Sequence, residues 1–290
     1  MKWGDLREEE FYDAVKECGQ LCVVPIGCME MHGQHLPVGT DWMKVYEALS
    51  EAAKIEPVME FPPFRFGDVQ GLVTRKGAIR LTVQLEQELL TQLCSEIARN
   101  GFKKIMLLNS HGGNKWMLAN FVRSVSYTQK DYVVMTHTIG ESLIYPQNIK
   151  KILEEKGRDA LPELTDEDLK AVDKLIEDGV EFGHADFAET AMMLGFRPEL
   201  VRLDRASAVS GECTHKADRF KPYDASQRLW GVNFPNCYMG SVPEGLCNDH
   251  FAKLGRRLLV EHIVEMIKVL KYDENMLRWL AEGNARRGKY

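Results

Sequence analysis

The chain has 290 residues, 44% hydrophobic and 28% charged, a balance that suits a globular fold with a sizeable core. With 37 Lys and Arg against 43 Asp and Glu the net charge is −6, and there is no basic run interleaved with aromatics, which argues against a nucleic-acid partner. The start Met1-Lys2-Trp3-Gly4-Asp5 lacks an apolar signal core and no apolar run is long enough to span a bilayer, so a soluble cytoplasmic protein is expected, without a membrane partner.

In chain order, Leu21-Cys22-Val23-Val24-Pro25-Ile26-Gly27 is short, apolar and closed by Pro and Gly, which predicts a buried strand. From Val83 to Ala98 the spacing predicts an amphipathic helix. Thr82 is its cap, Leu85, Leu89, Leu90, Leu93 and Ile97 share a face, and Gly101 follows. Ile105–Leu108 reads as a second buried strand, about Lys115 to Tyr127 as a helix, and Tyr132–Met135 as a third strand. Strands that are apolar throughout, alternating with helices, predict a single three-layer α/β/α domain over residues 1–290 with a mostly parallel sheet. The charged, apolar-poor stretch at about 145–180 reads as a surface insertion carrying a helix at Asp166–Asp178, capped by Thr165. Ala206 to Asn248 reads as loop, and Lys253–Leu270 returns to helical spacing.

Three short segments carry chemistry. Glu30-Met31-His32-Gly33-Gln34-His35-Leu36-Pro37-Val38-Gly39-Thr40-Asp41 begins just past the first strand. Residues two apart in an extended segment point the same way, so Glu30 and His32 can share a pocket, and Gly33, Pro37 and Gly39 let the chain bring Asp41 back. Carboxylates and neutral imidazoles suit Zn²⁺, Mn²⁺ or Fe²⁺; the alternative is a polar loop with a capping Asp. Asn109-Ser110-His111-Gly112-Gly113-Asn114 lies at the carboxyl end of the second strand, the edge where ligands gather in open α/β sheets. Its alternative is a glycine-rich turn with a capping histidine. In Gly183-His184-Ala185-Asp186-Phe187-Ala188-Glu189-Thr190, Glu189 falls one turn into a helix among small and apolar residues, where a carboxylate is costly unless a cation pairs with it. An exposed helical Glu is the alternative there. The seven cysteines, Cys18, Cys22, Cys28, Cys94, Cys213, Cys237 and Cys247, contain no C-x-x-C pair and read as reduced thiols, so no cysteine-based zinc site is expected.

Taken in order, E-x-H-G-x-H-L-P-x-x-T-D, N-x-H-G-G-N and H-A-x-x-x-E-T-x-M-M-L resemble the creatininase (creatinine amidohydrolase) superfamily over residues 30 to 194. The resemblance implies a two-metal hydrolase acting on a small molecule, with zinc, manganese or iron as the ions, and often a homo-oligomer, hexameric in some members. It assigns Glu30, Asp41 and His111 to one metal and His32, Asp41 and Glu189 to the other, with Asp41 bridging. His184 takes the proton-transferring role, and His35 a hydrogen bond behind the ligands. His137, His215, His250 and His262 match nothing in the pattern and are expected in the core or on the surface.

Enzymes that hydrolyse creatinine resemble H-x-E after the second strand, where this chain has Gly113, and carry tryptophans between the later motifs, where it has only Trp116. Gly77-Ala78-Ile79-Arg80 stands where many members read G-T-I-S. Creatinine is therefore disfavoured, and a cyclic amide or formamide C–N bond is expected. The alternatives are C–C ring opening of an oxidised inositol and a non-catalytic binding member. Loss of ligands would mark the last, yet every ligand position is filled.

Overall fold

The computed structural model describes residues 1–69, 75–220, 222–223, 228–243 and 245–287. Four strands, β1 (Leu21–Ile26), β2 (Met59–Glu60), β3 (Lys104–Asn109) and β4 (Val133–Thr138), form one parallel sheet in the order β2-β1-β3-β4. The helices are α1 (Phe11–Glu17), α2 (Thr40–Ile55), α3 (Val83–Arg99), α4 (Asn114–Val125), α5 (Pro146–Lys156) and α6 (Asp166–Glu177). They continue with α7 (Phe187–Phe196), α8 (Arg228–Asn233), α9 (Asp249–Tyr272) and α10 (Met276–Arg287).

Alternation along β1 and β3 divides the core into two layers. Leu21, Val23, Met106 and Leu108 meet α2, α7 and α9 through Leu49, Ala191, Leu254 and Ile263. Cys22, Val24, Ile105 and Leu107 meet α1, α3 and α4 through Ala14, Leu90, Ile97 and Phe121. Covered on both faces, β1 and β3 are buried throughout, as their continuous apolar runs predict. Pro25 is tolerated inside β1 because its carbonyl, and hence its missing N–H, faces the short β2 side, where Phe64 donates to that carbonyl at 2.9 Å.

Two expectations need correction. Leu85 and Leu89 are exposed (42% and 39%), while α3 buries Glu86, Leu90, Cys94, Ile97 and Ala98. The inward row runs along i, i+4, i+8 from Glu86, a residue type that hydrophobic spacing does not count. The 145–178 stretch is not merely a surface insertion. Ile149, Leu161, Leu164, Val172 and Leu175 join the core beside α9, and most of its charges face outward, with Asp168 of α6 buried as the exception. The predicted cap of α6 is present: Thr165 Oγ1 accepts from the Asp168 N–H at 3.2 Å, and Asp168 Oδ2 accepts from the Thr165 N–H at 2.7 Å.

Candidate metal centre

The carboxyl ends of β1 and β3 deliver two of the three motifs to one place. After β1 the chain folds back on itself: the Glu30 N–H donates to the Val38 carbonyl at 3.0 Å, and His32 bridges Leu36. α2 then starts against the end of β1, so close that a Cβ on Gly27 would lie 2.4 Å from the Trp42 nitrogen. Asp41, in the first turn of α2, thus returns to Glu30 and His32. After β3, Asn109 holds the His111 loop. Its Oδ1 accepts from the His111 N–H and from Asn114 Nδ2 at 3.2 and 3.0 Å, and its Nδ2 donates to the His111 carbonyl at 2.8 Å. The two asparagines of N-x-H-G-G-N are therefore a buried brace. The third motif enters on α7, where Asp186 caps the helix by accepting from the Ala188 and Glu189 N–H groups and directs Glu189 inward.

All five predicted ligands are buried and converge. His111 Nδ1 lies 3.2 Å from Glu30 Oε1 and 3.1 Å from Asp41 Oδ2. His32 Nε2 lies 3.4 Å from Asp41 Oδ1 and 3.5 Å from Glu189 Oε2. In each imidazole the remote nitrogen donates to a carbonyl, His111 Nε2 to Asp68 at 2.9 Å and His32 Nδ1 to Glu30 at 3.2 Å, which turns the other lone pair into the cluster. His32 Nε2 has no hydrogen-bond partner although it is fully buried. An orphan nitrogen facing two carboxylates at these distances fits a divalent cation; His32, Asp41 and Glu189 lie within ligand distance of one another, and so do Glu30, Asp41 and His111.

The electrostatics agree. Burial opposes ionisation of Glu30, Asp41 and Glu189, yet the groups around them hold all three carboxyls below their usual range: the His111 imidazole first for Glu30, His32 and His111 for Asp41, Lys44 and His32 for Glu189, which falls to about 2. Burial likewise opposes charging of His32, but Glu189 and Asp41 raise it to about 9. The buried carboxylates thus draw positive charge to the cluster. His184 goes the other way: burial and the positive His32 lower it.

His184 precedes α7, as expected. Its Nε2 donates to the Met31 carbonyl at 2.7 Å and its Nδ1 lies 3.6 Å from Glu30 Oε1. It is also within ligand distance of Glu30 and His32, and Trp230 stands edge-on to it at 5.5 Å. His35 bonds to Thr190 Oγ1 at 3.0 Å, so it buttresses the helix that carries Glu189. Of the remaining histidines, His137 and His262 pair with each other, His250 pairs with Asp168 and His215 with Asp218, all outside the cluster. Trp116 is 72% exposed.

Two residues escaped the sequence reading. Lys44, fully buried on α2, contacts Glu189 Oε1 and lies 3.5 Å from Asp41 Oδ1. Its signal was the i+3 spacing from Asp41, visible once α2 is known. Cys28 donates its thiol hydrogen to Asp41 Oδ2 at 3.1 Å and groups with Glu30, Asp41 and His111. The alternation that pairs Glu30 with His32 reaches Cys28 two residues earlier.

Buried carboxylates and imidazoles gathered at the carboxyl edge of a parallel sheet make this a candidate metal-binding site in an α/β fold. Comparison narrows the class. The creatininase family model, described as creatinine amidohydrolase, matches residues 4–267, and the chain belongs to that family. A creatinine amidohydrolase of Pseudomonas putida is 22% identical over 231 residues, 76% of this chain and 79% of the relative. A mutant creatininase of zinc–zinc type superposes with a TM-score of 0.69 at 18% identity, over 94% of this chain and 98% of that one. A manganese creatininase gives 0.69 at 19% identity, over 94% and 99%. These structures share the fold, and membership of the family makes the chain a hydrolase in kind.

Proposed function

We propose that the protein hydrolyses a small cyclic amide or formamide, using two divalent cations held by Glu30, Asp41 and His111 on one side and His32, Asp41 and Glu189 on the other. The observation that carries this reading is the division of Asp41: Oδ1 faces His32 and Oδ2 faces His111, so one carboxylate serves both donor groups. Two such cations supply a nucleophilic water near neutral pH and polarisation of the carbonyl under attack.

The chain's own residues do the rest. The Ala185 N–H donates to Glu189 Oε2 at 2.7 Å and Lys44 holds Oε1, which fixes the carboxylate toward His32. His184, with Nε2–H committed to the Met31 carbonyl, keeps Nδ1 as a lone-pair acceptor, and its lowered basicity leaves it neutral. We assign it the proton taken from the attacking water and returned to the departing nitrogen. Zinc suits the donors best, with manganese or iron as substitutes. The test is a screen of reconstituted protein against cyclic amides, formamides and inosose-type ketones. Turnover of an amide supports the reading; turnover of the ketones alone transfers the reaction to a C–C bond.

A further inference from the structure

The half of the site around His111 contains one more donor than the carboxylates and imidazoles explain. Cys28, Glu30 and His32 lie on the segment leaving β1, two residues apart each time, and Cys28 is wholly buried with its sulfur in the group formed by Glu30, Asp41 and His111. Its Sγ is 3.1 Å from Asp41 Oδ2, and His111 Nδ1 is 3.1 Å from that same oxygen and 3.2 Å from Glu30 Oε1. With zinc–sulfur bonds of about 2.3 Å and zinc–nitrogen or –oxygen bonds of about 2.0–2.1 Å, the edges of a tetrahedron are roughly 3.3–3.5 Å. The observed edges are a few tenths of an ångström shorter, within reach of small side-chain adjustments. Gly113, in the loop after His111, has no room for a side chain that could take this place: a Cβ there would lie against His111 Nε2 and 2.7 Å from the Asp68 carbonyl. The orphan His32 Nε2, buried and turned toward Asp41 from the other side, independently marks the cluster as built around cations.

We propose that Cys28 is the fourth protein ligand of the ion held by Glu30, Asp41 and His111, a role that rests on the two-cation reading above. On binding, the thiol proton leaves to solvent, the sulfur lone pair forms the bond to the cation, and the thiol hydrogen bond to Asp41 Oδ2 is replaced by a shared ion. A thiolate among oxygen and nitrogen donors selects zinc, cobalt or cadmium over manganese at this position.

The test is the absorption spectrum of the full-length apoprotein reconstituted with Co²⁺, together with Cys28→Ser and Cys28→Ala. The wild type should show a sulfur-to-cobalt charge-transfer band in the near ultraviolet, and both variants should lack it. Elemental analysis after competition between equal zinc and manganese should show zinc affinity falling by at least about 10- to 100-fold in Cys28→Ser, with manganese gaining in share. Cobalt bound by the wild type without the band overturns the role of Cys28 and leaves the two-cation reading standing; so does a band that survives in both variants. No cobalt bound at all overturns both. Cys213→Ser is the control, since Cys213 lies within ligand distance of His215 and Asp218, and it should keep the wild-type band; a band lost in Cys213→Ser overturns the role of Cys28 even if the Cys28 variants do not fold.

Discussion

Replacing Asp41 with Asn keeps the side chain's size and removes the charge that His32 and His111 both face. Metal content should fall at both positions in Asp41→Asn, whereas Glu30→Gln or Glu189→Gln should weaken chiefly one, since only a shared ligand offsets the repulsion between two cations. Elemental analysis of the three variants separates these outcomes, and full metal content with normal turnover in Asp41→Asn removes the bridge. His184 is a different case, because its near nitrogen is 3.6 Å from Glu30 and its far nitrogen is committed to Met31. His184→Ala should lower kcat by about 10²–10⁴ with both metals retained, the range expected for a positioned acid–base histidine. Loss of one metal would make it a ligand, and an unchanged kcat would make it neither. At this scale the sequence was legible where a motif follows a strand directly, which put Glu30, His32 and His111 at strand ends, while naming them with Asp41 and Glu189 as one ligand set came from the resemblance to the creatininase superfamily. Lys44 and Cys28 were not legible, because a lone lysine and a lone cysteine acquire meaning only once their distances to Asp41 are known.

Among the elements, one carboxylate ties the start of α6 to the start of α9. Asp168 accepts from the Thr165 N–H and hydroxyl, from Asn248 Nδ2 at 3.0 Å, and pairs with His250 Nδ1 at 2.8 Å. Asn248 is itself the cap of α9. Burial would raise the Asp168 pKa, but the Thr165 N–H, Asn248 and the other donors bring it below the usual value. A depressed folded pKa means that the stabilisation is complete above the unfolded value of about 3.9 and is lost as pH falls through the folded one. Asp168→Ala should therefore cost about 1–2 kcal/mol at neutral pH, with the gap between variant and wild type closing in acid. Urea unfolding from pH 7 down to pH 3 measures this, and a gap that stays constant across the range would contradict it. The elements that sequence periodicity missed have physical reasons. β2 contains only two residues and leaves no pattern, and α3 turns a buried Glu86 toward the core in place of Leu85.

For the molecule as a whole, the parallel sheet was legible because both faces of β1 and β3 are covered, which forces every residue there to be apolar or paired. Order in the sheet was not, since no periodicity states that β1 lies between β2 and β3. That placement gives the site its character. The central strands end side by side, α2 and α7 close over their carboxyl ends, and three buried carboxylates meet Lys44 and two imidazoles there. Such a concentration of buried carboxylates requires positive charge beside it. Among the described residues no helix is long and apolar enough to cross a membrane, so the site is not built on a membrane-spanning helix. The most direct measurement is the metal content of full-length protein purified without chelator and reconstituted with Zn²⁺, Mn²⁺ or Fe²⁺. The account predicts about two equivalents per chain, with activity rising as they bind. A stoichiometry that stays near zero, with no activity gained from any of the three ions, would contradict it.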